Sequence, residues 1–352
     1  MTWFERLTGF RETDYTATQA KLSLDGETLS CAGSTRRARF GRLELASLQD
    51  LRERVSASSS PGAPTTVQNI SGDVRVLHRD PAFAGGLFQV ASQFNLLEMA
   101  SQHVTPERGV SCYESDGTQG PACAMAAGAA TIYRNFLVPI GDARGQTADR
   151  QLDALADLGA YLANSLSVAP ESLWTMSNGY ALCSQDGLQR IHDHLAQASE
   201  SARDQLRSRP RIGLHWDVEV TDVVPPPGPL VSQALCSALP VGYSQHLDHP
   251  GWETFARLVL EAAYEATLLA GVLNARRGAS NIVLLTRLGG GVFENDDRWI
   301  EAGIRRGLDL VRDAGLDVRN VTYGSTAPWL ARLAADYRQP LRTRTVPSTV
   351  IR

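Results

Sequence analysis

Short segments in which apolar and polar residues alternate open the chain. Between Lys21 and Leu45, runs such as Lys-Leu-Ser-Leu precede the turn pair Asp25-Gly26, and this pattern predicts strands joined by tight turns. Leu48 to Val55 has helical spacing, and Ser47 is placed to accept a hydrogen bond from its first turn. Residues rich in Ser, Pro and Gly follow, so we predict a domain boundary near residues 56–66.

Beyond that boundary, strand-like and helix-like segments alternate along the chain. The predicted strands are 67–76, 87–91, 211–221, 230–241, 281–288 and 318–323, and the predicted helices are 121–131, 148–166, 252–274 and 299–314. Pro225-Pro-Pro-Gly-Pro cannot donate ladder hydrogen bonds, so it predicts a turn between two hairpin strands. The alternation predicts an α/β protein whose central sheet has helices packed on its faces.

Composition and charge narrow the classes of partner. The chain has 352 residues, 43% of them hydrophobic, and a formal net charge of -4, which favours neither nucleic acid nor an anionic membrane surface. Without an apolar run of about 20 residues or a leader pattern, we expect a soluble, cytoplasmic protein. The five cysteines lack metal-ligand spacing and are expected to be free thiols.

A buried strand that breaks into three glycines is the strongest local signal for chemistry. The run is Ile282-Val-Leu-Leu-Thr-Arg-Leu-Gly289-Gly290-Gly291-Val292-Phe293-Glu-Asn295, just before a predicted helix. Glycines let backbone N–H groups converge on a phosphate, and a helix N-terminus adds favourable potential. A Lys-Ser/Thr pair and a GxGxxG pattern are missing, so neither a P-loop nor a dinucleotide fingerprint is predicted, and a plain glycine turn stays open.

Polar residues at the ends of two earlier strands form the second signal. Gly72-Asp73-Val74 lies toward the end of the predicted strand 67–76, and Ser92, Gln93, Asn95 and Glu98 follow the strand 87–91. Open sheets bind ligands outside the carboxyl ends of their strands, where these groups can contact hydroxyls and amines. For Asp73 alone, capping a turn or a helix is the simpler role.

In this order, the three segments resemble the macrodomain family. The resemblance implies a macrodomain-like mixed sheet over residues 67–325, preceded by the β-rich extension 1–60 and followed by a tail at 326–352. It also implies that Asp73 and the Val74 N–H bind adenine and that Ser92 to Asn95 meet the distal ribose. By the same resemblance, Gly289 to Phe293 wrap the diphosphate. From their place directly after this loop, Asn295 or Asp296 can face the distal ribose.

Two departures from common macrodomains affect the first phosphate loop. Ala91-Ser92-Gln93 replaces the usual Ala-Asn followed by glycines, and the Gly-Gly-Gly plus Gln-Glu-Glu signature of poly(ADP-ribose) glycohydrolases is missing. The segment from Asp116 through Thr118, Gln119 and Gly120 can supply a loop instead. The chain then resembles divergent macrodomains of bacterial effectors, which implies removal of ADP-ribose from arginine.

Cleavage of an N-glycosidic bond passes through an oxocarbenium-like state and needs a carboxylate near the ribose. The candidates for this role are Glu98, Asp116, Asp217, Glu219 and Asp296. Period-two geometry places Asp217 and Glu219 on one face with His215 and Thr221, and in an antiparallel hairpin we expect that face to be solvated.

The predicted activity is therefore hydrolysis of ADP-ribosylated protein by a monomer or weak oligomer, and the alternative is a module that binds ADP-ribose without catalysis. Asp296 and Asp297 follow the glycine loop and would cap the next helix. Beside a diphosphate their charge must point away or meet a cation such as Mg²⁺. Because no acidic cluster has metal-ligand spacing, we predict no metal and no cofactor.

Overall fold

A seven-stranded mixed sheet lies at the centre of the protein in a computed structural model, which describes residues 1–57, 62–244 and 248–337. The predicted linker falls partly on 58–61, and most of the predicted tail follows 337, so these parts lie outside the described residues. The mixed sheet between helices confirms the predicted fold class.

The strands are β1 Leu22–Asp25, β2 Thr28–Cys31, β3 Arg37–Arg39, β4 Arg42–Ser47, β5 Thr66–Ser71, β6 Leu87–Ala91, β7 Pro139–Ile140, β8 Ala143–Arg144, β9 Trp174–Ser177, β10 Tyr180–Cys183, β11 Arg211–Glu219, β12 Leu230–Cys236, β13 Ile282–Leu285 and β14 Asp317–Thr322. The helices are α1 Trp3–Thr8, α2 Tyr15–Gln19, α3 Leu48–Ser56, α4 Val74–Arg79, α5 Gln119–Ala126, α6 Gly128–Ile132, α7 Ala156–Leu166, α8 Gln185–Gln197, α9 Glu200–Arg207, α10 Gly251–Arg276, α11 Asp297–Leu310 and α12 Pro328–Asp336.

The order of strands in the central sheet is β4-β11-β12-β6-β13-β14-β5. Five adjacent strands run parallel to one another, in the order β12, β6, β13, β14 and β5. Strand β11 is antiparallel to both of its neighbours, β12 and β4. The carboxyl ends of β5, β6, β13 and β14 therefore meet at one edge of the sheet, which is where open α/β sheets bind their ligands.

Helices cover both faces of this sheet. On one face α10, α11 and α3 contribute buried apolar residues to a core that includes Leu260, Ile304 and Leu51. On the other face α5, α7 and α8 pack over Phe88 and Val90 of β6. Helix α10 has the length and hydropathy of a membrane span, but 89% of that window is buried inside the protein, as expected for a core helix.

The predicted strand 67–76 is correct only in its first half. β5 ends at Ser71, and α4 begins at Val74 because the Asp73 carboxylate caps it, accepting a 2.7 Å hydrogen bond from the Arg75 N–H. The predicted helix 148–166 likewise starts late, at Ala156. In contrast, β6 has the predicted bounds, and α3 begins after Ser47 as expected.

The first sixty residues form strands, as predicted, and also two helices that the pattern did not predict. β1, β2 and β3 make a small antiparallel sheet, whereas β4 pairs with β11 along the edge of the central sheet. The Glu12 carboxylate accepts hydrogen bonds from the N–H groups of Val110 (2.9 Å) and Ser111 (2.7 Å), and the Trp3 indole donates to the Val110 carbonyl. The central sheet thus extends across the predicted boundary at 56–66.

Candidate functional site

A cleft with two neighbouring cavities lies at the carboxyl ends of the parallel strands. The smaller cavity, about 850 Å³, is bounded by the glycine loop after β13 and by the turn after β6. The larger, about 1490 Å³, is bounded by Asp73-Val74 and by the segment after β14. The residues that line both cavities are Asp116, Thr118, Gln119, Thr286 and Arg287. The cleft therefore brings Asp73 and the glycine loop to a single elongated site.

The three glycines of the loop have different surroundings. Gly289 has a φ of 74°, and a Cβ there would lie 2.5 Å from the Ala238 Cβ, so only glycine fits. A Cβ on Gly290 would lie 2.7 Å from the Arg287 Cγ, so this glycine makes room for an arginine. Gly291 lines the smaller cavity, and a Cβ there would meet no atom within 4 Å. Gly291 is thus the glycine at which a side chain would project into open space.

Two asparagines that we expected to contact the ribose are directed into the protein. The Asn95 side chain is fully buried, donates to the Gln151 Oε1 at 2.8 Å and accepts from the Leu97 N–H. Asn295 is also buried and donates to the Leu239 carbonyl at 2.9 Å. Neither lines either cavity, and both amides bond to groups inside the protein.

Ser92 and Gln93 line the smaller cavity, but their side chains close the turn after β6. The Gln93 Oε1 accepts from the Met99 N–H at 2.8 Å, and its Nε2 donates to the Met99 carbonyl at 3.2 Å. The Ser92 hydroxyl donates to the Gln93 carbonyl. These contacts fix the turn that carries Glu98, so the two residues position the site in this structure.

The segment proposed as a first phosphate loop does reach the cleft. Gln119 binds along the edge of β6, accepting from the Ala91 N–H at 2.8 Å and donating to the Gln89 carbonyl at 2.9 Å. It occupies this edge because β13 pairs with β6 only at the first two residues of β6. A Cβ on Gly120 would lie 2.1 Å from the Ala91 carbonyl oxygen, so this glycine allows α5 to approach β6.

Glu98 is the buried acid of the smaller cavity. Its side chain is 1% exposed, and its Oε1 lies 3.3 Å from the Arg134 Nη2. The other oxygen, Oε2, is buried and has no hydrogen-bond partner within the described residues. Burial raises the pKa of Glu98 to about 7, although the neighbouring Arg134 charge acts to lower it. A buried carboxyl group whose pKa lies near neutral pH is suited to proton transfer.

Arg134 is the ion-pair partner of Glu98. The guanidinium is fully buried, donates from Nε to the Leu96 carbonyl at 2.9 Å, and lies 3.4 Å from the His215 Nδ1. Burial, together with the Arg134 charge, lowers the pKa of His215 well below its ordinary value, so this imidazole is neutral. Glu98 therefore lies between the buried Arg134 and the wall of the smaller cavity.

Asp116 is the second acid of the cleft and lies where the two cavities join. Its Oδ1 accepts from the Thr118 N–H at 2.8 Å and from the Thr118 hydroxyl at 2.6 Å. Thr118 itself is exposed at the mouth of the cleft. This local turn presents both side chains beside the start of α5.

Asp217, Glu219 and Asp296 are not in the cleft. Because β11 is antiparallel to β12, Glu219 lies beside Leu230, at the end of the sheet opposite the ligand edge. Asp217 forms an ion pair with Arg277 at 2.6 Å, and the Glu219 Oε2 accepts from the Arg39 N–H at 2.9 Å. Asp296 caps α11, accepting from the Arg298 N–H at 2.7 Å.

The expectation of a solvated face on β11 was also wrong. A bulge between His215 and Val218, with Asp217 at a φ of 55°, breaks the two-residue alternation on which that expectation rested. His215, Glu219 and Thr221 are buried.

The sequence pattern missed several residues of the cleft. Arg287 stands two residues before the first glycine, in the same run that predicted the loop, and it lines both cavities. Tyr180 and Tyr243 line the smaller cavity with Phe293, and their ring centroids lie 5.3 and 5.7 Å from that of Phe293. Nothing in the local sequence of Tyr180 or Tyr243 marks them, because they come from distant segments.

Metal-binding side chains do not gather in the described ranges, where no group of three or more His, Cys, Asp or Glu residues could hold an ion. All five cysteines are free thiols, and Cys31, Cys123 and Cys236 are buried.

Comparisons with known proteins give a distant likeness in fold. No protein-family model matches the chain, and no curated protein matches it. Poly(ADP-ribose) glycohydrolase from Thermomonospora curvata aligns with a TM-score of 0.45 and 13% identity, over 92% of this chain and 95% of that chain. The enzyme from Deinococcus radiodurans in complex with ADP-ribose aligns with a TM-score of 0.42 and 13% identity, over 83% and 91%.

Proposed function

We propose that the protein binds ADP-ribose in this cleft and hydrolyses the bond between ADP-ribose and a modified protein side chain. The observation that carries the proposal is that Asp73, the glycine loop and the buried acid Glu98 line two neighbouring cavities that share five of their lining residues. The order of these segments along the chain is the order in macrodomains, which the sequence resembles.

The proposed ligand lies along the length of the cleft. Adenine occupies the larger cavity beside Asp73 and Val74, the diphosphate lies at the junction near Gly291 and Thr118, and the distal ribose enters the smaller cavity near Glu98. The Asp73 cap bond uses one of about four acceptor positions on the carboxylate, so the group can still accept from the adenine amine.

Glu98 would act as the proton carrier of the reaction. As the bond from the ribose C1 to the side-chain nitrogen breaks, a water oxygen forms the new bond to C1. The Glu98 carboxylate takes the proton released by that water, and the protonated acid returns it to the leaving nitrogen. Its pKa near 7 makes both forms accessible at neutral pH. Asp116 can stabilise the positive charge that develops on the sugar.

Arginine is the modified side chain that we propose, and this choice rests on the resemblance to divergent macrodomains. Substrate proteins that carry ADP-ribose on arginine or on a carboxylate side chain, incubated in parallel, test it. Preferential release from the carboxylate-linked protein would contradict the arginine assignment while leaving the hydrolase proposal intact.

Glu98→Gln is the variant that tests catalysis. It keeps the shape of the side chain but removes the proton carrier, so we expect turnover to fall by about 100-fold or more. ADP-ribose affinity, measured by calorimetry, should change little. Glu219→Gln is the matched control, because this buried acid lies at the opposite end of the sheet and should leave turnover unchanged.

The alternative is a module that recognises ADP-ribose without turning it over, and the buried ion pair between Glu98 and Arg134 favours it, since a charge held this way can be purely structural. Wild-type protein that binds ADP-ribose but releases none from any modified protein would establish this alternative. Wild-type protein that fails to bind ADP-ribose would contradict both functions.

A further inference from the structure

Arg287 occupies the junction of the two cavities and lines both of them. The other basic residue of the larger cavity, Arg75, is held away by Asp222, to which it donates two hydrogen bonds of 2.6 and 3.0 Å. Within the described part of the chain, Arg287 is therefore the basic side chain placed at the point where a ligand would pass from one cavity to the other.

The charge balance of the larger cavity requires such a cation if an anion is to bind there. The cavity is lined by four carboxylates and two guanidiniums, and the carboxylates are Asp73, Glu114, Asp116 and Asp297. A diphosphate carries negative charge that these acids repel, and main-chain N–H groups alone supply only partial positive charge. A guanidinium presents a planar fork of donors that matches phosphate oxygens.

The guanidinium of Arg287 is tethered in a way that leaves most of its donors available. Its Nε donates to the Asp297 Oδ1, and no other hydrogen bond to the group occurs within the described residues. The two side chains are 46% and 39% exposed, so this ion pair is solvated and weak. Gly290 gives the arginine its place, because a Cβ at this residue would lie 2.9 Å from the Arg287 Cζ.

We propose that Arg287 binds the diphosphate of the ligand directly and that Asp297 competes with the phosphates for it. This inference rests on the proposed binding of ADP-ribose and adds a specificity: compounds with two bridged phosphates bind better than monophosphates. Asp297 then sets the affinity, since the ligand must displace a carboxylate that is already in place.

Binding of ADP-ribose and of AMP to four proteins tests the inference: wild type, Arg287→Gln, Asp297→Asn and the double variant. For Arg287→Gln we expect ADP-ribose affinity to fall about 10- to 100-fold, the range for losing a hydrogen bond to a charged group. The fall for AMP should be smaller, and the dependence of affinity on salt concentration should weaken. Arg287→Lys, which keeps the charge but not the fork, should be intermediate.

Asp297→Asn should increase ADP-ribose affinity, an effect that a merely structural role of Asp297 would not produce. Removal of the Asp297 charge should tighten ADP-ribose binding by up to about 5-fold, which is the scale on which exposed ion pairs act. That gain should disappear in the double variant, because it acts through Arg287. Arg298→Gln is the control, since this arginine lies on the same helix, pairs with Asp296 and lines neither cavity.

The outcomes separate this inference from the proposed function. If the wild type binds ADP-ribose and Arg287→Gln binds it equally well with the same salt dependence, the inference is overturned and the proposed function remains. If the gain from Asp297→Asn persists in the double variant, the competition between Asp297 and the phosphates is overturned. If the wild type does not bind ADP-ribose, the proposed function itself fails.

Discussion

Replacement of Glu98 by Gln should change how the stability of the protein depends on pH. Burial raises the pKa of this carboxyl from an ordinary 4.5 to about 7, so the folded protein holds the proton more tightly than the unfolded chain. The stabilisation of the folded protein by this bound proton is fully present below pH 4.5 and is lost as the pH rises through about 7. At about 1.4 kcal/mol for each unit of difference in pKa, the whole effect is about 3 kcal/mol.

Urea unfolding of the wild type and of Glu98→Gln at pH 5, 6, 7 and 8 measures this effect. The difference in unfolding free energy between the two proteins isolates Glu98, because the other titratable groups are common to both. Relative to the variant, the wild type should lose about 2 to 3 kcal/mol between pH 5 and pH 8. A difference that is constant with pH, or one that favours the wild type at high pH, would show that Arg134 keeps the carboxylate ionised and would refute the reasoning.

Substitutions at three further positions test separate parts of the cleft. Gly291→Ala, →Val and →Leu should weaken ADP-ribose binding progressively with little change in melting temperature, because this glycine lines the smaller cavity and a Cβ there meets no atom within 4 Å; equal affinity across the series would remove this glycine from the binding site. Asp73→Ser keeps a helix cap but loses the carboxylate, so calorimetry should show binding weaker by about 1 to 3 kcal/mol, and full affinity would mean that Asp73 only caps α4. Gln93→Ala should lower turnover and shift its pH profile while ADP-ribose still binds, since Gln93 fixes the turn that carries Glu98; an unchanged pH profile would make Gln93 a packing residue alone.

The sequence predicted the parts of the fold that follow from periodicity. The apolar run of β6 fixed its two ends, and the rule that parallel strands share a carboxyl edge placed Asp73 and the glycine loop at one site. Strand 67–76 was extended too far because Val74 and Val76 are β-branched and resemble strand residues. The Asp73 cap outweighed that preference and began a helix.

The direction in which a loop side chain points could not be predicted from the sequence. Asn95 stands in the turn that the family resemblance implies for ribose contacts, and Asn295 was expected to face the ribose from its place after the glycine loop. Both amides instead bond to groups inside the protein. No periodic pattern governs where a loop side chain points, because the turn geometry that decides it depends on contacts with distant residues. The bulge in β11 escaped prediction for a similar reason, since it is a feature of the pairing of β11 with β12 and not of the residue pattern of β11 alone.

The pairing of β4 with β11 affects how the chain can be divided for experiments. A fragment that starts at residue 67 would leave six residues of β11, Arg211 to Trp216, without the partners that now satisfy their main-chain groups. Bare strand edges recruit other chains, so this fragment should aggregate rather than fold into a smaller active unit. The first sixty residues and the sheet that follows are therefore expected to gain and lose their structure together.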